Sequence, residues 1–289
     1  MAIVLGPNQY GKAEIRLVHL TKGASHVIRD LTVGVTLTGD MTQAHLTGDN
    51  SAVLPTDTQK NTVYAFAAEG GVGQIEAFAL RLARHFVDSR DSIATARVSV
   101  TEHGWEPVGG TGHSFARSDA EVRTAQVSYD GTTAWAVSGL GGLTLLNSAG
   151  SEFGGYIKDR YTTLAETADR ILATDVTARW RHAAVDLDGE GDWDTSHAET
   201  RRHLVEAFAQ TYSRSLQQTL YAMGERVLQH RPEISEVRLV LPNKHHFVFD
   251  VKPFIIGNAG EVLYASDRPY GLIEGTVLRD DAPTAGLAW

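Results

Sequence analysis

The sequence contains no cysteine among its 289 residues. This absence excludes disulfide bonds, zinc sites built on thiolates and a cysteine nucleophile. It leaves the cellular compartment open. It would suit a protein whose chemistry generates an oxidant, because thiolates are readily oxidised.

The sequence also lacks clustered positive charge and long apolar runs. Its formal net charge is −9 and it has no run of lysine and arginine, so we expect no nucleic-acid partner. No segment approaches the roughly 18 apolar residues of a membrane-spanning helix, so we expect no membrane partner. The first residues do not resemble a signal peptide, and residues 286–289 do not form a peroxisomal signal. We therefore expect a cytoplasmic protein.

Length and composition indicate a folded protein with a sizeable core. Hydrophobic residues make up 42% of the chain and charged residues 21%, as in ordinary globular proteins. A chain of this length forms either one large domain or two smaller ones.

The spacing of apolar residues predicts an order of elements that occurs twice. The first copy has strands at about 13–20, 28–37, 93–101 and 121–129, with a helix at 75–86 between the two pairs. The second copy has strands at about 134–146, 176–181, 236–241 and 247–251, with one long helix whose apolar side runs from Leu204 to Val227. The copies meet near Gly131, which predicts one domain at residues 1–131 and a second at residues 132–289.

This order of elements predicts the α+β class, with antiparallel sheets and helices on one face. The free edges of such sheets favour oligomers in which several sheets join into a larger barrel. In the second copy, Ser196 and Glu199 resemble a capping box at the beginning of the long helix, and Pro232 follows its end.

The heptapeptide from Leu241 to Phe247 combines several side chains that can carry chemistry. We predict that Pro242 ends the incoming strand, because proline cannot donate a ladder hydrogen bond. Asn243, Lys244 and His245 would then lie on a connection between two strands, where folds often hold functional groups. An ordinary exposed turn is the alternative interpretation.

Five further residues allow both a functional and an ordinary interpretation. Lys12 is either a catalytic cation or a solvated lysine at the beginning of the first strand. Thr56 and Asp57 are either functional or the cap of a helix, which both residue types favour. Arg170 could pair with a nearby glutamate on a helical turn, and Gln217 could face water from the long helix.

Three apparent cofactor signals fail on their spacing. The acidic run that begins at Asp186 resembles a calcium loop, but His197 stands at the twelfth position, where a bidentate glutamate is required. The glycine-rich stretch at 139–143 precedes a strand rather than the helix of a dinucleotide fingerprint. His245 and His246 are adjacent, so on an extended backbone they would point to opposite sides and not ligate one metal.

Several short segments, taken together, resemble the urate oxidase (uricase) family. They occur in the family's order from Asn8 to about Arg279, so the resemblance covers almost the whole chain. Each segment alone is a weak motif, but jointly they are highly specific. The segments are 10–12 (YGK), 56–62 (TDTQKNT), 151–155 (SEFGG), 159–164 (DRYTTL), 169–176 (DRILATDV), 215–219 (SLQQT), 241–245 (LPNKH) and 267–274 (DRPYGLIE).

The resemblance implies a fold, an assembly and a reaction. The fold is a tandem pair of tunnelling-fold (T-fold) domains, and four chains form a homotetramer around a central tunnel, with active sites at subunit interfaces. The reaction oxidises urate with dioxygen and water to 5-hydroxyisourate and hydrogen peroxide. The resemblance implies no metal and no organic cofactor, because the deprotonated purine itself supplies the electrons.

The resemblance also implies which residues bind the substrate. Phe153 would stack on the flat purine, and Arg170 would bind one edge with its planar fork of donors. Gln217 offers both a donor and an acceptor to the opposite edge, beside the backbone amide of Leu216. Asp57 would bind through its backbone. Leu216 stands where the family often has valine, a departure that we expect to matter little.

The remaining residues are implied in the chemical steps. Asn243 and Thr56 would hold dioxygen, and later water, above the ring. Lys12, Thr56 and His245 would form a proton relay, in which a lysine can act as a base where burial and neighbouring cations favour its neutral form. Pro55 and His246 depart from the residues expected at these positions, but neither carries an implied role.

Two other classes of function remain open on the sequence. A non-catalytic purine- or pterin-binding protein on the same fold would keep Phe153, Arg170 and Gln217 but would not need the relay. A pterin enzyme of the same fold would depend on zinc or on a substrate-anchoring glutamate. The absence of cysteine and of spaced histidines counts against a zinc enzyme.

Overall fold

The computed structural model describes residues 1–289, apart from the side chain at position 119. Its strands are β1 (Tyr10–Thr21), β2 (Val27–Gly39), β3 (Ile93–Pro107), β4 (Phe115–Tyr129), β5 (Ala134–Asn147), β6 (Leu172–His182), β7 (Ile234–Val248) and β8 (Leu263–Leu278). Its α-helices are α1 (Thr42–Leu46), α2 (Thr56–Gly70), α3 (Ile75–Asp88), α4 (Trp193–Gln210) and α5 (Leu216–His230). Among the described residues, no helix is long and apolar enough to cross a membrane.

The strands are hydrogen-bonded neighbours in the order in which they occur in the chain, from β1 to β8. The pairs β1–β2, β2–β3, β3–β4 and β7–β8 are antiparallel. Two strands, a group of helices and two further strands occur twice along the chain, in the predicted order. The α+β class with an antiparallel sheet is thereby confirmed.

The chain divides into two compact units. The first unit contains Met1–Gly139, Trp180–His197 and Pro283–Trp289, and the second contains Leu140–Arg179 and Ala198–Ala282. Strands β5 and β6 and helix α4 each have residues in both units. A domain boundary at Gly131 stays a prediction.

In the first unit, α3 packs on β3 and β4. The apolar stripe that predicted this helix is fully buried, and it comprises Ile75, Phe78, Leu82 and Phe86. Strand β2 presents alternate residues to the same core, namely Leu31, Val33, Val35 and Leu37. Burying each large apolar side chain stabilises the unit by about 1.5–3 kcal/mol.

In the second unit, α5 packs on β7 and β8. The helix buries Leu216, Leu220, Met223 and Val227, and its glycine, Gly224, is buried as well. A Cβ atom at Gly224 would lie 2.6 Å from the side chain of Val277 in β8, which leaves no room for a larger residue. Glycine at position 224 therefore allows α5 to pack closely on β8.

The prediction of one long helix, with Leu204 to Val227 along one side, is wrong. Helix α4 ends at Gln210 and α5 begins at Leu216, because Ser215 interrupts the helical backbone and its side chain accepts a hydrogen bond from the Gln218 amide at 3.2 Å. Ser196 lies inside α4, which begins at Trp193, so the proposed capping box is also wrong. The apolar spacing continues in helical register across the break, which explains the error.

The prediction that Pro242 ends a strand is also wrong. Strand β7 continues through Pro242, which lies opposite Leu272 of β8, and ends at Val248. The register of the ladder shifts between Asn243 and His245, and proline is tolerated next to such irregularities. The polar heptapeptide therefore lies within a strand, and the next strand is β8 rather than residues 247–251.

Candidate active site

The segment that carries Phe153 is held on one side by the segment that carries Arg170. The amide of Phe153 donates to the Thr167 carbonyl at 2.9 Å, and the Thr167 amide donates back at 3.0 Å. The Arg170 amide donates to the Ser151 carbonyl at 2.8 Å. These bonds place the Arg170 guanidinium carbon 5.1 Å from the centre of the Phe153 ring.

On its other side, the same segment is bonded to the chain that leads into α5. The Glu152 amide donates to the Ser213 carbonyl at 2.8 Å. Two residues later Ser215 caps α5, so Leu216 and Gln217 occupy the first turn of that helix. Amides in the first turn have no carbonyl partner within the helix, and they carry the positive end of its dipole.

Arg170 is a half-buried cation whose donors are not fully used. Burial lowers its pKa, although an arginine remains charged at neutral pH, and its Nε atom is buried with no hydrogen-bond partner among the described residues. The ordinary interpretation, a pair with Glu166, is wrong, because Glu166 pairs with Lys158 at 2.8 Å. Arg170 thus holds a free donor beside an aromatic ring.

Asn243 and His245 lie on β7, on either side of the register shift. Asn243 is opposite Gly271 of β8, and His245 is opposite Ser266. Burial lowers the pKa of His245, and the charge of Arg170 lowers it further. At neutral pH the His245 ring is therefore neutral and can accept a proton.

In the first unit, Lys12 lies on β1 opposite Val35, at the point where the β1–β2 register shifts before Ile15. Its neighbour Gly11 has no space for a side chain, because a Cβ atom would lie 1.8 Å from the Val35 carbonyl oxygen. Glycine is therefore required beside Lys12 for the two strands to pair.

Thr56 and Asp57 form the beginning of α2. Pro55 is the N-cap residue and makes no side-chain capping bond, so the interpretation of Thr56 and Asp57 as a simple cap is wrong. Their amides lie in the first turn, where donors are available to an anionic or carbonyl ligand. The Leu54 amide donates to the Tyr10 hydroxyl at 3.0 Å, which links this turn to β1.

The carboxylate of Asp57 is already occupied within α2. It accepts hydrogen bonds from Lys60 Nζ at 2.6 Å and from Asn61 Nδ2 at 3.0 Å. The bond and charge of Lys60 lower the Asp57 pKa most, and the charge of Lys12 contributes a smaller lowering. The side chain is thus held in place, and the backbone of Asp57 remains for a ligand.

The structure therefore groups the predicted residues in two sets. Phe153, Arg170, Leu216, Gln217, Asn243 and His245 belong to the second unit, and Lys12, Thr56 and Asp57 belong to the first. A flat ring, a cationic fork and amide donors together suit a flat, anionic ligand with hydrogen-bonding edges. In the part of the chain that the structure describes, no group of three or more histidines and carboxylates is close enough to hold a metal ion.

One residue of this region was not identified from the sequence. Tyr156 stacks on Phe153, with ring centres 5.0 Å apart and ring planes 18° from parallel. Its hydroxyl donates to the Leu164 carbonyl at 2.6 Å. Two glycines between the aromatic residues allow the chain to turn back, and this aromatic-Gly-Gly-aromatic spacing was the available signal.

The fold is of the α+β class, the residues around Phe153 and Arg170 suit a flat, anionic ligand, and comparison with known proteins identifies the family. The family model described as Uricase matches residues 8–128 and 136–274. The uricase of Arthrobacter globiformis is 49% identical over 288 residues, which cover 99% of this chain and 94% of that protein. A uricase of Dictyostelium discoideum is 36% identical over 281 residues, or 94% of this chain and 96% of its own length.

Solved structures agree with the sequence comparison. The crystal structure of uricase from Arthrobacter globiformis superposes with a TM-score of 0.94 at 49% identity, covering 98% of each chain. The chain belongs to the uricase family. The resemblance seen in the sequence is therefore confirmed.

Proposed function

We propose that this protein oxidises urate with dioxygen and water, giving 5-hydroxyisourate and hydrogen peroxide. Membership of the uricase family favours this oxidoreductase over a non-catalytic purine- or pterin-binding protein. The atoms balance: urate gives up two electrons and two protons to dioxygen, and water supplies the hydroxyl group of the product.

The main observation in support of a urate-binding site is the segment around Phe153, which is hydrogen-bonded on both sides. It joins a stacking ring to Arg170 on one side and to the first turn of α5 on the other. We place the purine against Phe153, with one edge on Arg170 and the opposite edge on the Leu216 amide and the Gln217 side chain. The unpartnered Nε of Arg170 supports this placement, because a buried donor without an acceptor is costly.

In the proposed chemistry, one set of residues transfers protons and another binds dioxygen, with Thr56 in both. His245 is held neutral by burial and by Arg170, so it can accept a proton through Thr56 and Lys12. Asn243 and Thr56 hold dioxygen, and later water, above the ring, while the Asp57 backbone binds the purine edge. The electron-rich urate anion reduces dioxygen itself, so the proposal requires no organic cofactor or metal.

We further propose a homotetramer of tandem T-fold chains around a central tunnel. Strands β1 and β8 stand at the two ends of the strand order, and such edges favour pairing with another chain. Each active site would combine Lys12, Thr56 and Asp57 of one chain with the second-unit residues of its neighbour. The assignment of the two sets to separate units supports this arrangement.

A direct assay tests the proposed reaction. Purified protein in air should remove the ultraviolet absorbance of urate and release hydrogen peroxide, and exhaustive chelation should leave the rate unchanged. Anaerobic samples and Arg170→Ala protein serve as controls. Urate binding without turnover in air would establish the non-catalytic alternative, and loss of activity in chelator that metal restores would overturn the cofactor-free mechanism.

A further inference from the structure

Lys244 lies between two proposed active-site residues and has no assigned part in the reaction. In the β7–β8 ladder, Asn243 is opposite Gly271 and the next paired residue, His245, is opposite Ser266. The ladder therefore provides no β8 partner for Lys244. The backbone between Asn243 and His245 needs another support if these side chains are to be held in register.

The side chain of Lys244 connects β7 to β6, its other neighbour in the sheet, and through Asp175 to β5. Its ammonium group contacts the carboxylate of Asp175 on β6, and the hydroxyl of Thr144 on β5 donates to the same carboxylate. Burial alone would raise the pKa of Asp175, but the bonds from Lys244 and Thr144 outweigh it and lower that pKa. Asp175 is therefore ionised at neutral pH, and the three strands are joined at this point.

The ion pair lies on the partly exposed face of β6. Thr174 and Val176 are fully buried while Asp175 between them is partly exposed, so Asp175 projects to the opposite face of β6. Lys244 contacts Asp175 and shares that face.

We propose that the Lys244–Asp175 ion pair positions Asn243 and His245, because it holds the backbone of β7 in place where the register of the β7–β8 ladder shifts. This inference rests on the proposed function, because it assigns those two residues to oxygen and proton handling. Lys244 acts through its neighbours and does not touch the substrate. Loss of the pair would let Asn243 and His245 shift relative to the ring, and shifts of about 1 Å can cost up to about 100-fold in rate.

The test uses the variants Lys244→Met, Asp175→Asn and the double variant. Each single variant should lower kcat by about tenfold and change KM less than about threefold, because urate is bound mainly by Phe153, Arg170 and Gln217. Lys244→Arg, which keeps the charge, should retain most of the activity. Arg238→Met is the matched control, because it also removes an ion pair from β7, the one between Arg238 and Glu236. Arg238 lies about 16 Å along the strand from Asn243.

The double variant distinguishes positioning from general loss of stability. If the pair acts as one unit, the double variant should be no slower than either single variant. Multiplicative losses, or a normal kcat in Lys244→Met, would overturn the inference. If Lys244→Met does not fold, as judged by thermal unfolding, Asp175→Asn carries the same test because it preserves side-chain shape.

A His245→Gln variant separates this inference from the proposed function. If the His245→Gln enzyme is active, the proposed relay is rejected, and with it the reason for positioning His245. An inactive His245→Gln enzyme with a fully active Lys244→Met enzyme would leave the proposed function standing and reject the role of the ion pair.

Discussion

The Leu54 amide donates a hydrogen bond to the hydroxyl of Tyr10 at 3.0 Å. Tyr10 is two residues before Lys12 on β1, and Leu54 is two residues before Thr56 at the beginning of α2. This bond therefore links the two segments that carry Lys12 and Thr56, which we propose for one proton relay. Burial raises the pKa of Tyr10, so its hydroxyl remains protonated.

We expect Tyr10→Phe to lower kcat by about tenfold or less and to change KM little, because the relay is displaced while the purine-binding residues are not. Thermal unfolding should show a loss of about 1–3 kcal/mol from the unpaired Leu54 amide. Tyr64→Phe is the control, since it removes an exposed hydroxyl bond to the Arg16 carbonyl at 2.7 Å. Equal effects of the two substitutions would contradict a special role of Tyr10.

Lys12→Met should depress kcat by about 10²–10⁴-fold, the usual contribution of a positioned acid or base, with a smaller change in KM. Steady-state kinetics on urate measures both constants. Lys22→Met, at an exposed position after β1, should behave as the unchanged enzyme. A near-normal kcat in Lys12→Met would remove Lys12 from the relay.

Arg170→Ala should raise KM by about 10–100-fold, because hydrogen bonds to a charged group contribute about 1.5–3 kcal/mol. Arg170→Lys should not restore binding, since an ammonium group cannot reproduce the planar fork. Arg160→Ala, in an exposed part of the same region, is the control. If Arg170→Lys binds urate normally, the guanidinium does not pair with a substrate edge.

The pKa of His245 is lowered first by burial and then by the charges of Arg170 and His246. Arg170→Gln removes one of these charges, so the titration midpoint of His245 should move to higher pH in nuclear magnetic resonance spectra. His103, whose pKa is lowered by burial and by Arg16 and Arg117, should titrate unchanged. An unmoved His245 midpoint would show that Arg170 does not act on it.

The same lowered pKa has a consequence for stability. Because the folded protein holds His245 neutral, the unfolded chain binds more protons at this residue between the lowered pKa and its ordinary value of about 6.5. The contribution of His245 to the free energy of unfolding is therefore complete above about pH 6.5 and decreases as the pH falls below it. In Arg170→Gln this decrease should begin at a similar pH but be smaller.

Lys12→Met and Arg170→Ala should complement each other if sites combine two chains. In a mixed dimer, one site would carry both lesions and the other neither, so refolding the two variants together should restore part of the rate at low urate, where each variant alone is slow. Mass measurement of the mixed oligomers is the necessary control. Mixed oligomers that remain as inactive as their parents would show that each site is built within one chain.

The elements that the sequence predicted correctly are those with a strong apolar period. Helix α3 carries a continuous buried stripe from Ile75 to Phe86, and β2 alternates without interruption. Helix α2 was missed because only Gln59, Val63 and Ala67 of its residues are buried, so it has no apolar stripe to detect. The formation of α2 therefore depends on tertiary packing and could not be predicted from the local spacing of apolar residues.

The site was predictable as a set of residues but not as an arrangement. The resemblance named Phe153, Arg170 and Gln217 without showing what joins them. Their connection is made by backbone bonds between segments about 15 and 60 residues apart, through Thr167 and Ser213. No local spacing rule encodes such pairings. Tyr156 is the exception, because its contact with Phe153 is local and spans only the two glycines that separate them in the sequence.

The segment around Phe153, which is hydrogen-bonded on both sides, also indicates how this protein can be re-engineered. The bonds that hold residues 151–153 against 167–170 and 213 run between backbone atoms and do not depend on the side chains at 153, 170 or 217. Libraries that randomise these three positions together should therefore yield mostly folded variants with altered choice of purine. Proline at position 152 or 170, by contrast, would delete a bonding amide and separate the segments, whatever ligand is sought.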